Sequence, residues 1–486
     1  MNLNPLIEPG WVNAILPELI LSVAGMLLIL FAAFAPKLKG ATAPLALIGF
    51  IVTAWAENFV RAGRFFGATY EISGITRIFD ITFLLAAMLA TLFAREYLER
   101  ENIESGEFYA LLMWATVGMM MMAKGLDLLI VILGLETLSI CIFVLVGYHR
   151  RIPVSNEASV KYFLMGAFAT GFILYGTALF YGATRSTNFT EMSRAFATAS
   201  PSDPMLTIAF VLLMSGFGFK LAVAPFHGWA PDVYQGAPSP VAGWLSVAPK
   251  AATLIAVIRL FAAMSPLLQH TVWLKMIAAL SILSMVIGNA VAIAQRDLKR
   301  MLAYSGIAHV GYMLIALLSV RDEAVAAIAV YTITYALMNI GAFGVVSMLA
   351  KNQNDPQTLD DIAGLGFRRP FYGLALTVCM FSLSGLPPTA GFIAKFYIFK
   401  TAVDSGHVMI ALIGILTSIV SVYYYLRVVY YLYMKEAPEG EAVAVGGVFA
   451  TGALAISVLG IFVIGLFPTP LFEMAGAAAR ALIPYP

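Results

Sequence analysis

Residues 204–232 read PMLTIAFVLLMSGFGFKLAVAPFHGWAPD. An apolar run long enough to cross a bilayer holds a lysine, Lys220, and is broken by Pro225, which removes a backbone donor. A charge near the centre of a membrane helix costs a few kcal/mol even on the mildest insertion scale, roughly 2.5 to 3.5. A lysine kept there points to ion movement. The combination recurs along the chain: Lys250 follows Pro249, Lys395 follows Pro387 and Pro388, and Glu136 interrupts another apolar run.

With 486 residues, 61% hydrophobic and 12% charged, the chain has too little polar surface for a water-soluble globule. The apolar runs follow one another with short polar gaps, so the expectation is one polytopic membrane bundle rather than several soluble domains. A net charge of +2 is too small to argue for nucleic acid or an acidic partner. Cys141 and Cys379 sit in separate apolar runs and offer neither a disulfide framework nor a metal-ligand spacing. Pro17 and Glu18 interrupt the first run and no basic segment precedes it, so it is expected to stay as a membrane helix.

Runs near the bilayer-spanning length predict an all-α fold of roughly fourteen helices. They cover 15–35, 41–60, 78–97, 107–123, 126–148, 157–182, 204–225, 238–263, 272–294, 300–320, 324–350, 371–403, 407–434 and 445–467. The run at 371–403 exceeds one span and contains Ser384-Gly385-Leu386-Pro387-Pro388, so it should be broken, as should the seventh at Pro225 and the eighth at Pro249. Odd-numbered loops carry more basic residues than even-numbered ones, among them Lys37, Arg150, Arg300, Lys351 and Arg368, which predicts both termini on the outer side.

Lys220 and Lys395 lie on runs that share a Gly-Phe pair and a proline break, at an offset of 395 − 220 = 175. That offset places Glu136 opposite residue 311, beside His309, and Lys250 opposite Tyr425. It spans five helices, an odd number, so the second unit would be inverted relative to the first. The chain then divides into helices one to three (1–105), a first repeat (106–265), a second, inverted repeat (266–436) and a last helix with its tail (437–486).

Glu136, mid-run, is the expected partner of Lys220, because an unpaired charge at that depth is the costliest arrangement. Lys250 and Lys395 have no acidic residue close by in their own runs. A desolvated lysine without a partner holds its proton less tightly, which suits a relay; the competing reading is that each snorkels to an interface. His309 either bridges Lys250 and Lys395, as imidazole both accepts and donates a proton, or packs as a satisfied core histidine. Lys161 begins the sixth run and is either a relay member or a surface lysine. Glu18, Glu57, Asp80, Lys124 and Asp127 lie near run ends and read as solvated boundary residues. The segment from His227 to Pro240, dense in Pro and Gly, reads as a rigid linker, with gating the alternative. No phosphate loop, cysteine cluster, haem pair or nicotinamide fingerprint is present, so no redox cofactor is expected in this chain.

The strings FGFKLAVAPFHGWAPDVYQGAPSPV (217–241), RMLAYSGIAHVGY (300–312) and LSGLPPTAGFIAKF (383–396) closely resemble the signatures of the antiporter-like membrane subunits of respiratory complex I. The resemblance spans most of helices four to thirteen. It implies two inverted five-helix units, with Glu136 and Lys220 as an ion pair, Lys250 as the central relay lysine and Lys395 as the terminal one; Lys161 and His309 carry over less directly. Lys395 sets the chain apart from the M type, which has glutamate there, and the end at Pro486 sets it apart from the L type, which continues into a long lateral helix.

The resemblance implies a proton-translocating subunit of a redox-driven pump. FMN, iron–sulfur clusters and quinone would belong to partner subunits, and the neighbours would be subunit M, the small subunit K, the lateral helix of subunit L and membrane lipids, with no nucleic acid. A subunit of a multisubunit cation/proton antiporter shares these motifs and is the alternative. A third class, a membrane scaffold, would leave pumping intact when Lys220 or Lys250 is replaced.

Overall fold

A computed structural model describes residues 10–200, 202–268, 272–319, 321–349, 358–436 and 446–480. Lys351, the segment 437–445 and both chain termini, on which parts of the charge and domain expectations rest, lie outside the described residues.

Twelve helices among the described residues are long and apolar enough to cross a membrane. Leu298–Ala316 and the broken pair Pro370–Ser384 and Ala390–Asp404 match the two remaining predicted runs. Leu298–Ala316 begins with Lys299 and Arg300 and is therefore less apolar. The helices pack around one continuous apolar core. Every residue in the apolar window of Ser239–Ala263 is buried, whereas Leu16–Phe34, Pro153–Thr184, Val408–Met434 and Val448–Leu466 turn most of their surface outward. The Lys250 span thus runs through the middle of the bundle, where no lysine can snorkel.

The breaks follow the prolines, with one shift. Pro204–Leu221 ends at Ala222, which takes the left-handed conformation, φ 58°. Pro370–Ser384 ends likewise at Gly385, φ 85°, where glycine carries no Cβ penalty. The interruption expected at Pro249 lies instead at Val247, φ −121° and ψ −65°, and Pro249 sits in the first turn of Ala248–Ala263. Its missing donor costs nothing there. Asp322–Leu349 contains a π-helical stretch, Ala336–Ile340, of the kind that occurs at functional sites.

Two pairs of structural marks set the repeat. Asp127 and Asp297 each cap a helix through a backbone N–H, and each forms an isolated bridge, to Asn188 and Thr358 respectively. The spacings agree: 188 − 127 = 61 and 358 − 297 = 61. This relation has an offset of 297 − 127 = 170, and the left-handed caps give 385 − 222 = 163. The offset of 175 is therefore wrong in register. Lys220 precedes its break while Lys395 follows its own, so the two lysines are not equivalents, and the short Gly-Phe match that aligned them is fortuitous. With 136 + 170 = 306, Glu136 corresponds to Gly306 and not to the residue beside His309. The helices capped by the two aspartates are five spans apart, so the units run in opposite senses.

Sequence periodicity gave no hint of three small elements. Gly63–Phe65 and Tyr70–Ile72 form an antiparallel hairpin, too short for alternation to show. Phe189–Phe196 and Thr469–Ala479 are short helices outside the long spans.

Candidate functional site

Lys220, Lys250, His309 and Lys395 are 6%, 2%, 1% and 4% exposed, so all four leave solvent. Lys220, in the last turn of its helix, donates from Nζ to Ser139 Oγ at 2.7 Å. The rings of Phe143, Tyr162 and Phe219 surround the ammonium at 5.5, 5.7 and 5.9 Å, a cation–π arrangement. Glu136 makes no ion pair with it. Instead Glu136 Oε1 accepts from Thr170 Oγ1 at 2.7 Å, and the side chain is half-buried, on the flank of its helix that carries the exposed Leu129, Leu133, Ile140 and Val144. The expected contact is thus replaced by Ser139, one turn along the same helix. Hydroxyls supplied by neighbouring helices satisfy both charges separately.

Lys250 stands in the first turn of Ala248–Ala263, where the helix dipole disfavours a cation. Its Nζ has no hydrogen-bond partner and lies 5.7 Å from the centre of the Tyr234 ring. A Cβ on Gly306 would come within 3.0 Å of both Lys250 Nζ and Tyr335 Oη. A side chain at position 306 would press on both groups, so glycine keeps the space they share. Tyr335 Oη is itself unpartnered, and its ring lies 4.9 Å from that of His309. His309 uses both nitrogens: Nδ1 with Tyr331 Oη at 2.7 Å and Nε2 with Tyr425 Oη at 3.0 Å. Tyr425 in turn shares a short hydrogen bond with Ser305. On the other side, the Tyr312 ring lies 5.8 Å from His309 and 5.3 Å from Lys395 Nζ, so tyrosines stand between His309 and each of the two lysines. Tyr425 stood out in the sequence only as the residue opposite Lys250, and Tyr331 and Tyr335 did not stand out at all, because a tyrosine inside an apolar run looks like any other aromatic.

Lys395 caps the broken helix. Its Nζ donates to the carbonyls of Leu383 and Ser384 at 2.9 and 3.0 Å and to Ser418 Oγ at 2.9 Å. A cavity of about 620 Å³ reaches it, lined mostly by apolar side chains such as Phe392, Phe396 and Ile415, with Lys400, Asp404 and Ser418 also on its wall. The carbonyls freed at this break thus hold a cation, the chain's own lysine. Lys400 pairs with Asp404 at 2.6 Å and is exposed, in keeping with a residue near a run's end.

Lys161 is not part of this row. It is exposed and pairs with Glu157 at 2.7 Å and Asp232 at 3.2 Å. Asp232 also accepts from Arg300 Nη1 at 2.7 Å, and Lys299 Nζ donates to Ala237 O at 2.9 Å. The Pro-rich connection is therefore fastened to the second unit, as a rigid linker would be. Trp229 completes it, stacked on Tyr162 at 4.4 Å and donating from Nε1 to Phe219 O at 2.8 Å.

All five of the presumed boundary residues are buried, and four of them meet. Lys124 Nζ contacts Glu18 Oε1 at 2.8 Å, Glu57 Oε1 at 3.0 Å and Asp80 Oδ2 at 2.8 Å, and Tyr70 Oη donates to Glu18 Oε1 at 2.6 Å. Exposure is 6% for Glu18, 3% for Glu57 and zero for Asp80 and Lys124. The chain order could have shown this. Glu18 starts one helix, Glu57 ends the next, Asp80 starts the third and Lys124 ends the fourth, so successive antiparallel spans bring all four to one end of the bundle. Arg259, also fully buried, was missed as well; it donates from Nη1 to Glu71 Oε2 at 3.0 Å.

Broken helices around a row of buried lysines define an antiporter-like transmembrane subunit. Residues 125–421 match the family described as NADH:quinone oxidoreductase/Mrp antiporter, transmembrane. NADH-quinone oxidoreductase subunit N of Trichlorobacter lovleyi is 45% identical over 447 residues, covering 90% of this chain and 91% of the relative. A chain of respiratory complex I from Thermus thermophilus with bound aureothin superposes with a TM-score of 0.81 at 33% identity, covering 95% of this chain and 99% of that one. A chain of the Mrp complex from Dietzia sp. shares the fold, with a TM-score of 0.82 at 18% identity over 97% and 98% of the two chains. The chain belongs to the NADH-quinone oxidoreductase subunit N family.

Proposed function

We propose that this chain translocates protons as a membrane subunit of an NADH:quinone oxidoreductase, along a row formed by Glu136, Lys220, Lys250, His309 and Lys395. The family supports the complex. The observation that carries the row is that its three lysines are buried without a carboxylate contact: Lys220 and Lys395 each donate to a serine hydroxyl, which can hand on a proton, and Lys250 lies near the unpartnered hydroxyl of Tyr335. Electrons do not pass through it: FMN, the iron–sulfur clusters and quinone belong to partner subunits, and no cofactor is assigned to this chain. Other membrane subunits of the complex are its partners. Outward-turned apolar helices give subunit M, subunit K and the lateral helix of subunit L surfaces to pack on, with lipid covering the rest. The chain is multi-pass, and we assign it to the bacterial inner membrane with both termini periplasmic, helices 106–265 forming the first unit and 266–436 the second.

The complex itself is tested by co-purification. Flavin and iron–sulfur absorbance is expected to accompany the tagged chain through a detergent wash; companions limited to antiporter subunits would support the cation/proton antiporter reading instead.

Direction follows from the inverted units, which open half-paths to opposite sides. Lys395, reached by the cavity that Lys400 and Asp404 also line and held on the carbonyls of a broken helix, is assigned to the outer end. In an assembled cysteine-free background, single cysteines beside Lys395 on Ala390–Asp404 are expected to react with a membrane-impermeant thiol reagent added outside. Cysteines beside Lys220 are expected to react from inside. Equal labelling from both faces, or labelling near Lys395 from the cytoplasmic side alone, would overturn the exit route.

A further inference from the structure

Glu18, Glu57, Asp80 and Lys124 form a closed cage in the first four spans, apart from the lysine row, and a role for the cage is independent of the proton path through those lysines. Three carboxylates share one ammonium, and all four residues are nearly or wholly out of solvent. Tyr70, from the hairpin formed by Gly63–Phe65 and Tyr70–Ile72, is the fifth titratable group of the cluster, and its hydroxyl closes the cage over Glu18.

Were all three carboxylates ionised, the cage would hold two uncompensated negative charges in a buried site, which desolvation strongly opposes. The contacts distinguish the three. Glu18 Oε1 receives both the ammonium and the tyrosine hydroxyl, the environment of an ionised acceptor. Glu57 and Asp80 each touch only the ammonium and lack the tyrosine hydroxyl; all three carboxylates keep an oxygen, Glu18 Oε2, Glu57 Oε2 and Asp80 Oδ1, buried without any hydrogen-bond partner. These orphaned oxygens are independent of the ion contacts and mark where a ligand is held. We infer that the cage is a proton-binding site, with Glu57 and Asp80 carrying one proton each while Glu18 and Lys124 form the ion pair. Atoms and charge then balance: one carboxylate, one ammonium and two carboxylic acids.

The assembled complex tests this by infrared spectroscopy in H2O and D2O. Wild type is expected to show an exchange-sensitive band from protonated carboxyl groups that weakens in Asp80→Asn, weakens in Glu57→Gln and is lost in steps that add when both are combined. Each of these swaps exchanges one neutral group for another of the same shape, so both single variants are expected to assemble. Glu18→Gln removes the cage's only anion and is expected to lower the yield of assembled complex the most. If the variants lose ionised-carboxylate absorption instead, or if either single variant fails to assemble, the cage is an ordinary ion-pair network and the inference falls. Disappearance of the band on adding sodium at constant pH would equally overturn it, in favour of a metal cation.

Discussion

Replacing Lys250 with alanine is expected to slow proton pumping and the quinone reduction coupled to it by about a hundredfold, the lower edge of what a lost proton-transfer group costs. Arginine is expected not to restore either rate. The reason lies in where the ammonium stands. It occupies the first turn of a helix that runs through the centre of the bundle, without a hydrogen-bond partner, and the Tyr234 ring 5.7 Å away is a weak counterpart for a buried charge. Such a lysine can give its proton up. Arginine at the same place keeps its charge at any accessible pH and supplies a fixed field but no exchangeable proton. The measurement is NADH-driven pumping in reconstituted vesicles, with flavin and iron–sulfur content used to score assembly, since the space shared with Gly306 and Tyr335 is narrow. Full pumping by an assembled Lys250→Arg complex would mean that position 250 provides charge alone.

Much of the fold was legible because membrane spans are written in composition. Twenty apolar residues with a charge inside them have few alternatives, and a proline inside such a run has one consequence. For the same reason Lys220, Lys250, His309 and Lys395 could be picked out singly and are found buried. What a sequence read run by run does not contain is the relation between runs. Each cage residue, seen alone, sits where a helix end meets water, and only the alternation of start and end over four consecutive spans reveals that they meet.

Register failed for a different reason. Two lysines in similar words are a stronger visual signal than two aspartates, yet Asp127 and Asp297 perform the same backbone task in the two units, whereas Lys220 and Lys395 stand on opposite sides of their breaks. Backbone duties repeat faithfully because both units need the same helix caps. Side chains that carry protons need not repeat. Lys395 reaches back over its break to the carbonyl of Leu383, and Leu383 is the residue that corresponds to Lys220 at the offset of the caps, 220 + 163 = 383. The second unit therefore places an ammonium near the same point of the fold from the other side of the break.

Glu136→Gln is expected to leave the complex assembled and to remove much of the pumping together with the coupled quinone reduction. Assembly should survive because the amide oxygen of glutamine can still accept from Thr170 Oγ1, and the half-buried site tolerates an uncharged group of the same size. Pumping should suffer because the charge on Glu136 acts on Lys220. Brought to about 4 Å at an effective dielectric near 20, the pair would gain roughly 4 kcal/mol, equivalent to about three pKa units. The arrangement seen here, with Lys220 on Ser139 and Glu136 on Thr170, forgoes part of that. On the proposed row, closing the pair would hold a proton on Lys220 and opening it would let the proton go, an energy larger than the roughly 2.3 kcal/mol needed to move one charge against 100 mV. Glutamine abolishes the difference between the two states without disturbing either set of hydrogen bonds. Ser139→Ala should act in the opposite sense, since it withdraws the hydroxyl that holds Lys220 away from the carboxylate. Wild-type pumping by an assembled Glu136→Gln complex would remove Glu136 from the mechanism and leave Ser139 as the only group that positions Lys220.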